Sequence, residues 1–299
     1  MKRFKGTTCF QTLIAVATLL LFLQSNVQAQ SGTGLWTSVG MKKDLPKGMN
    51  AEFDAEWRQT GFFSETDRWS AGASFSRRLY RNKAKSFNIR ADVGYKFLSS
   101  LRQAYTVDKR DPEDYGENLV LEDDRDPQYY IENKYDFNLT KAFMESRHRV
   151  SASLSASLEA GRFKFSLRER MQYTYSCGSN ESVREKHRFV SKYDMDLSDY
   201  VDVHEVTLTK IKPSEKVLLR SRISVDYDIP HFKLDPFVSY EIFSDMNDGM
   251  ALEKGRLTAG TGFSLKKKHA FQFAYIWQNT TDDDESVRSA VSINYTFKF

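Results

Sequence analysis

The chain has 299 residues, with 44 Lys+Arg against 40 Asp+Glu, a formal net charge of +4, and 14% aromatic residues. So even a balance supplies no basic surface for nucleic acid, and the aromatics exclude a chain kept disordered by polarity. No run beyond residue 30 reaches the roughly 20 apolar residues of a spanning helix, so a membrane crossing would have to be made by strands.

The chain opens with Lys2, Arg3 and Lys5, followed by an apolar run at 13–23 and by Val27 and Ala29 just ahead of Gln30. This is the layout of a cleaved signal peptide over 1–29, leaving a mature domain at 30–299. Cleavage removes three of the 44 basic residues and none of the 40 acidic ones, so the mature chain has 41 against 40 and carries about +1. Cys9 leaves with the signal. Cys177 is then alone, which excludes an intrachain disulfide and reads as a bystander rather than a reactive thiol.

Period-two runs follow in series. Leu35, Thr37, Val39 and Met41 come first, turned by 44–48; Phe53, Ala55 and Trp57 oppose Glu52, Asp54, Glu56 and Arg58; Trp69, Ala71, Ala73 and Phe75 oppose serines and glycine. The clearest run sets Phe87, Ile89, Ala91, Val93, Tyr95 and Phe97 against Asn88, Arg90, Asp92, Gly94 and Lys96. Successive strand residues face opposite sides, so each run has one apolar and one polar face. Residues 108–127 are acidic with two Asp-Pro pairs and read as an exposed loop, after which Ile131, Tyr135, Phe137 and Leu139 alternate as a further strand or a loop hairpin.

The pattern returns at 150–158, turns at 160–162, and runs on from Phe163 to Tyr173, where Glu169 interrupts the apolar face. A carboxylate towards lipid is costly, which predicts a bulge there or a position near the interface. Residues 177–215 form a second long charged connection with two weaker alternating runs. Strands at 217–227, 238–242, 257–265 and 271–277 then lead to the terminal run Val291, Ile293, Tyr295, Phe297 and Phe299.

These features predict an all-β, transmembrane, antiparallel up-and-down barrel of about 10–12 strands, each near the length needed to cross a bilayer at a tilt. About eleven runs are legible, and antiparallel closure demands an even number, so either the 131–139 run is a twelfth strand, the favoured expectation, or the first run stands outside the wall and leaves ten. Counting back from the C-terminus puts the short turns in the periplasm and the long charged connections outside.

The layout resembles a family of small Gram-negative outer-membrane barrels known only as a domain of unknown function. Gly34 to Trp36, Arg147 to Arg149, the turn at Gly161 and Arg162, and the closing Tyr295, Phe297 and Phe299 carry the resemblance. It implies outer-membrane location and fold, and it transfers no catalytic residue. The terminal aromatics are the expected signal to the barrel assembly machinery, and the other partners expected are outer-membrane lipid and lipopolysaccharide.

Candidate lumen charges are Arg90, Asp92, Glu159, Arg168, Arg170, Arg220 and Arg222. They would form either an eyelet for small anions or a set of mutually paired fillers. With both signs in similar numbers along the polar faces, paired filling is the favoured expectation. The function expected is structural, or a narrow pore for small solutes. The alternative is a barrel-embedded hydrolase, a lipase around His148 with Ser146 or Ser151, or a protease around Asp202 and His204 or 282–284. The carboxylates of 245–249 and 282–285 offer oxygen to hard cations without EF-hand spacing, and read as solvated loop charge. No motif points to a cofactor.

Overall fold

Alternation at period two builds the wall, because a strand whose two faces differ in polarity is satisfied only between water and an apolar phase. The computed structural model describes residues 33–60, 65–110, 125–194, 199–230, 232, 234–280 and 288–299. The expected signal peptide, the centre of the acidic run and the carboxylates of 282–285 lie outside the described residues.

The strands are β1 (Gly34–Leu45), β2 (Met49–Thr60), β3 (Glu65–Arg81), β4 (Phe87–Arg102), β5 (Tyr105–Asp108), β6 (Phe137–Thr140), β7 (Phe143–Ala160) and β8 (Phe163–Ser176). They continue as β9 (Arg184–Asp194), β10 (Asp199–Thr209), β11 (Ser214–Tyr227), β12 (Asp235–Asp245), β13 (Ala251–Leu265), β14 (His269–Thr280) and β15 (Ser289–Lys298). Eleven of them close a barrel in the order β1-β15-β14-β13-β12-β11-β8-β7-β4-β3-β2. The other four form a separate antiparallel sheet, β10-β9-β6-β5.

An odd count resolves at one seam. Around an odd ring of alternating strands two neighbours must run the same way, and here β1 pairs β15 in parallel from Gly34↔Ala290 to Lys42↔Lys298. The Phe299 N–H donates to the Lys42 carbonyl (3.0 Å), extending the seam to the last residue. The expected twelfth strand is therefore not needed and not present in the wall. Its segment is a short helix, Pro127–Glu132, followed by β6 in the second sheet. Asp126 caps that helix by accepting from the Gln128 N–H (2.9 Å), and Pro127 fits the first helical position.

Connections 46–48, 82–86, 161–162 and 266–268 and the described residues of 228–234 lie at one end of the wall, the turn end, together with Phe299. Gly161 takes φ +62° in the tightest of them, where an L side chain would be strained. The described parts of connections 103–142 and 177–213, and connection 246–250, lie at the opposite, loop end. The two long ones meet there, because β6 pairs β9 from Phe137↔His187 to Thr140↔Arg184.

The expected bulge at Glu169 is absent. Its register with Leu154 and with Ser221 is unbroken, and it sits mid-strand on the outward face. Ser221 Oγ donates to its carboxylate (2.6 Å), so a neighbouring hydroxyl, not a backbone irregularity, accommodates the charge.

Candidate functional site

Outward positions carry the apolar side chains. Val39, Val93, Val150, Leu154, Leu167, Ile223 and Val238 are all exposed at mid-wall, Ile223 by 62%. Aromatic contacts flank this band at both ends. At the turn end Phe163 meets Tyr227 (4.9 Å between centroids), Phe263 meets Phe271 (5.0 Å) and Phe271 meets Tyr295 (5.0 Å). Phe297 stacks on Phe299, and Tyr295 is hydrogen-bonded through its hydroxyl to His269 (2.9 Å). Towards the loop end Trp69 meets Phe97 (5.3 Å), and the outward-facing Trp57 and Trp277 are exposed.

Inward positions enclose a cavity of about 590 Å³ in the turn-end part of the lumen. Ten Lys or Arg and five Asp or Glu line it, so the expected balance of signs does not hold for the lining. Of the residues singled out from the sequence, Arg90, Asp92, Arg168, Arg170, Arg220 and Arg222 lie on it. Glu159 does not. It stands exposed near the turn end, in register with Lys164, which on its other side is in register with Asp226. Glu159 and Asp226 thus stand off the lining, where Glu52, Asp54, Glu56, Asp92 and Glu241 are outnumbered because Lys42, Arg58, Arg149 and Arg256 add positive charge inside.

Each lining carboxylate is already engaged. Glu241 accepts from Arg168 (2.8 Å) and Arg220 (3.0 Å), Asp92 stands 3.7 Å from Arg170, and Lys42 pairs with Glu52 (3.6 Å). Lys96 pairs with Asp54 and Arg58 with Glu56 (2.5 Å). Inward-facing Gly72 leaves room for the Lys96 pair, since a Cβ there would come within 3.0 Å of the Lys96 chain and 3.2 Å of Asp54. Arg90, Arg149 and Arg222 hydrogen-bond hydroxyls instead: Ser76 (3.3 Å), Thr174 (3.3 Å) and Ser239 (3.0 Å).

Towards the loop end the lumen is filled. Trp36 is 7% exposed, with the Arg58 guanidinium 3.7 Å from its ring centre and Arg256 at 5.1 Å. Phe243 is likewise surrounded by Arg220, Lys254 and Arg256. Leu98, Leu218, Ile276 and Gln278 are buried in the same layer. Beyond it a second cavity, of about 840 Å³, lies between the wall and the connections that form the second sheet, lined by Arg102, Tyr105, Pro127, Phe143 and Glu145 among others. The two cavities share no lining residue.

Phe137 of the second sheet and Tyr130 of the short helix are fully buried against each other, and His187 stacks on Phe137. His187 Nδ1 and His204 Nε2 are 3.0 Å apart, so one imidazole donates to the other. Burial pushes the His187 pKa down, against the opposing pull of Glu185. Glu185 is itself held low by its hydrogen bond from Lys141.

The hydrolase candidates are dispersed. His148 faces outward, its Nδ1 2.7 Å from the Tyr95 hydroxyl and its ring edge-on to Phe97, while Ser151 lines the lumen on the other side of the wall. Asp202 accepts from Ser191 (2.7 Å) and Lys134 (2.8 Å), which leaves it no role in orienting His204. Among the described residues no group of three or more His, Cys, Asp or Glu is placed to hold a metal ion, and Asp245 closes its own turn by accepting from the Asn247 N–H (2.8 Å). Cys177 is a free thiol whose N–H bonds the Ser146 carbonyl (2.9 Å).

Residues 33–288 match the model of a family described as a protein of unknown function, DUF2490. No curated protein matches the chain. Among solved structures the chain is similar to the beta domain of the Bordetella autotransporter Brka, at 10% identity and a TM-score of 0.40, over 89% of this chain and 95% of that one.

Proposed function

The chain belongs to the DUF2490 family, whose function is unknown, and we propose that it is an outer-membrane barrel of a Gram-negative bacterium that admits small solutes to a charged lumen. The observation that carries this reading is the inversion of polarity. Large apolar side chains stand exposed around the wall between two aromatic girdles, while the charges are gathered inside, the reverse of a barrel that is soluble in water. In this reading the turn end and the C-terminus face the periplasm and the second sheet faces outward. Tyr295, Phe297 and Phe299 then serve as the signal to the assembly machinery, and the exposed wall meets lipid and lipopolysaccharide.

The filled layer around Trp36 and Phe243 makes the barrel closed towards the loop end in this conformation, so passage requires that layer to move. A hydrolase is not favoured by any observation. The test is expression with an exported signal, followed by membrane fractionation, heat-modifiable gel migration and planar-bilayer recording. Outer-membrane partition, a heat-dependent shift and small, infrequent conductance steps are expected. A soluble, unshifted band overturns the membrane reading, and a folded barrel that never conducts overturns the passage reading.

A further inference from the structure

Cross-strand pairing sets arginines directly against arginines. On β8 and β11, Arg170 is in register with Arg220, and Arg168 with Arg222. Like charges placed opposite each other on one sheet face repel, and the lumen wall screens them less than bulk water would. One carboxylate, Glu241, answers Arg168 and Arg220 together, and Asp92 lies at 3.7 Å from Arg170. The Nε atoms of Arg168, Arg170 and Arg220 are buried with no hydrogen-bond partner among the described residues. An unmet donor on a buried cation is costly, so four crowded guanidinium groups, three of them with a spare donor, mark a place that an anion completes.

The surroundings narrow the class of anion. Ser153 and Ser155 on β7 are in register with Arg170 and Arg168, and Ser239 on β12 receives a hydrogen bond from Arg222. Ser153 and Ser155 donate to Asp92 (3.1 Å) and the Arg90 carbonyl (3.4 Å), so the guanidinium forks of β8 and β11 and the Ser239 hydroxyl of β12 are what approach, from several strands rather than in one plane. A flat carboxylate is satisfied by one fork, whereas a tetrahedral group with two charges offers oxygens in several directions. The cavity's volume, about 590 Å³, leaves space for a small organic group as well.

We infer that Arg168, Arg170, Arg220 and Arg222 form a lumenal site for a phosphate-class oxyanion, either inorganic phosphate or a small phosphate monoester. The inference rests on the reading of the barrel as a membrane protein whose lumen is reached by solutes, and it names the solute. Glu241 acts in it as a resident counter-ion that holds two of the forks until the ligand competes for them.

The test uses the mature barrel refolded in detergent at low ionic strength, with inorganic phosphate, glycerol phosphate, sulfate and acetate as probes in equilibrium dialysis. Saturable phosphate binding is expected, with sulfate competing and acetate at least about tenfold weaker. Monoester binding as tight as phosphate assigns the site to monoesters, and weaker binding assigns it to the free ion. The double variant Arg170→Gln/Arg222→Gln should keep its heat-modifiable migration, melt no lower than the parent without phosphate, and bind at least about tenfold more weakly. Glu241→Gln should bind phosphate more tightly. Absence of saturable binding, unchanged binding by the double variant, a lower melting temperature of that variant without phosphate, or no tightening in Glu241→Gln each overturns the inference. Phosphate binding without conductance leaves the site standing and removes the passage reading, and conductance without phosphate binding does the reverse.

Discussion

Phe137 stacks on His187, ring centroids 4.2 Å apart and planes 14° from parallel, and this contact joins two connections that leave the wall after Arg102 and after Ser176. Phe137 has no exposed surface and also packs on Tyr130 (5.0 Å). The second sheet is thus a unit with a small aromatic core of its own, set on barrel strands that are hydrogen-bonded independently of it.

Phe137→Ala should open that unit alone. Truncating a buried Phe costs about 3–5 kcal/mol, and a small local unit has little reserve against it. Hydrogen exchange should show β6 and β9 losing protection by two orders of magnitude or more, roughly, while β4, β7 and β8 keep theirs. Equal loss in the wall would mean that the sheet and the barrel open as one.

The same sheet should loosen in mild acid. The His187 pKa is depressed in the fold, so between that value and the ordinary His value near 6.5 the unfolded segment binds more protons than the folded one. Stability is therefore fully present above about pH 6.5 and declines as pH falls through that window. Glu185, also depressed, contributes stability that is present above its ordinary value and lost below it, so the two effects have the same sign. Protection of β9 measured from pH 7.5 to about 3 should fall in these two ranges, and a His187→Gln variant should lose the upper step. A rise in protection on acidification would contradict the assignment.

Much of this wall was legible because strand residues report the phases on either side of them. The 87–97 run of β4 alternates without a break, and its apolar members are the outward ones. Closure was not legible, since a parity rule for antiparallel rings says nothing of a parallel seam such as β1 with β15. Nor was the second sheet, whose β6 and β9 pair at long range, while Ile131 mimics strand alternation from within a capped helix. For the lumen, each arginine was visible on a polar face. Which of them stand side by side depends on register, and strand sequences leave that open until the neighbours are known. The balance of charge misled for the same reason: Glu159, Lys164 and Asp226 share a face with the lumen arginines yet cluster near the turn end.

Trp36 is the side chain whose removal should do most to join the two cavities. Its ring lies between Arg58 and Arg256 and packs with Ile276 and Ala290. Trp36→Ala should cost about 3–5 kcal/mol of stability, leave heat-modifiable migration in place, and raise single-channel conductance in planar bilayers. Conductance equal to that of the parent barrel would mean that the closure lies elsewhere.

The central claim, that the exposed apolar wall faces lipid and the lumen does not, is tested most directly by fluorescence quenching in vesicles of brominated phospholipid. Trp57, Trp69 and Trp277 are outward and exposed by 41–47%, whereas Trp36 is inward and 7% exposed. Four variants, each keeping one tryptophan, should show strong quenching at positions 57, 69 and 277 and little at 36. Quenching of Trp36 with protection of the other three, or no quenching of any, would contradict the account.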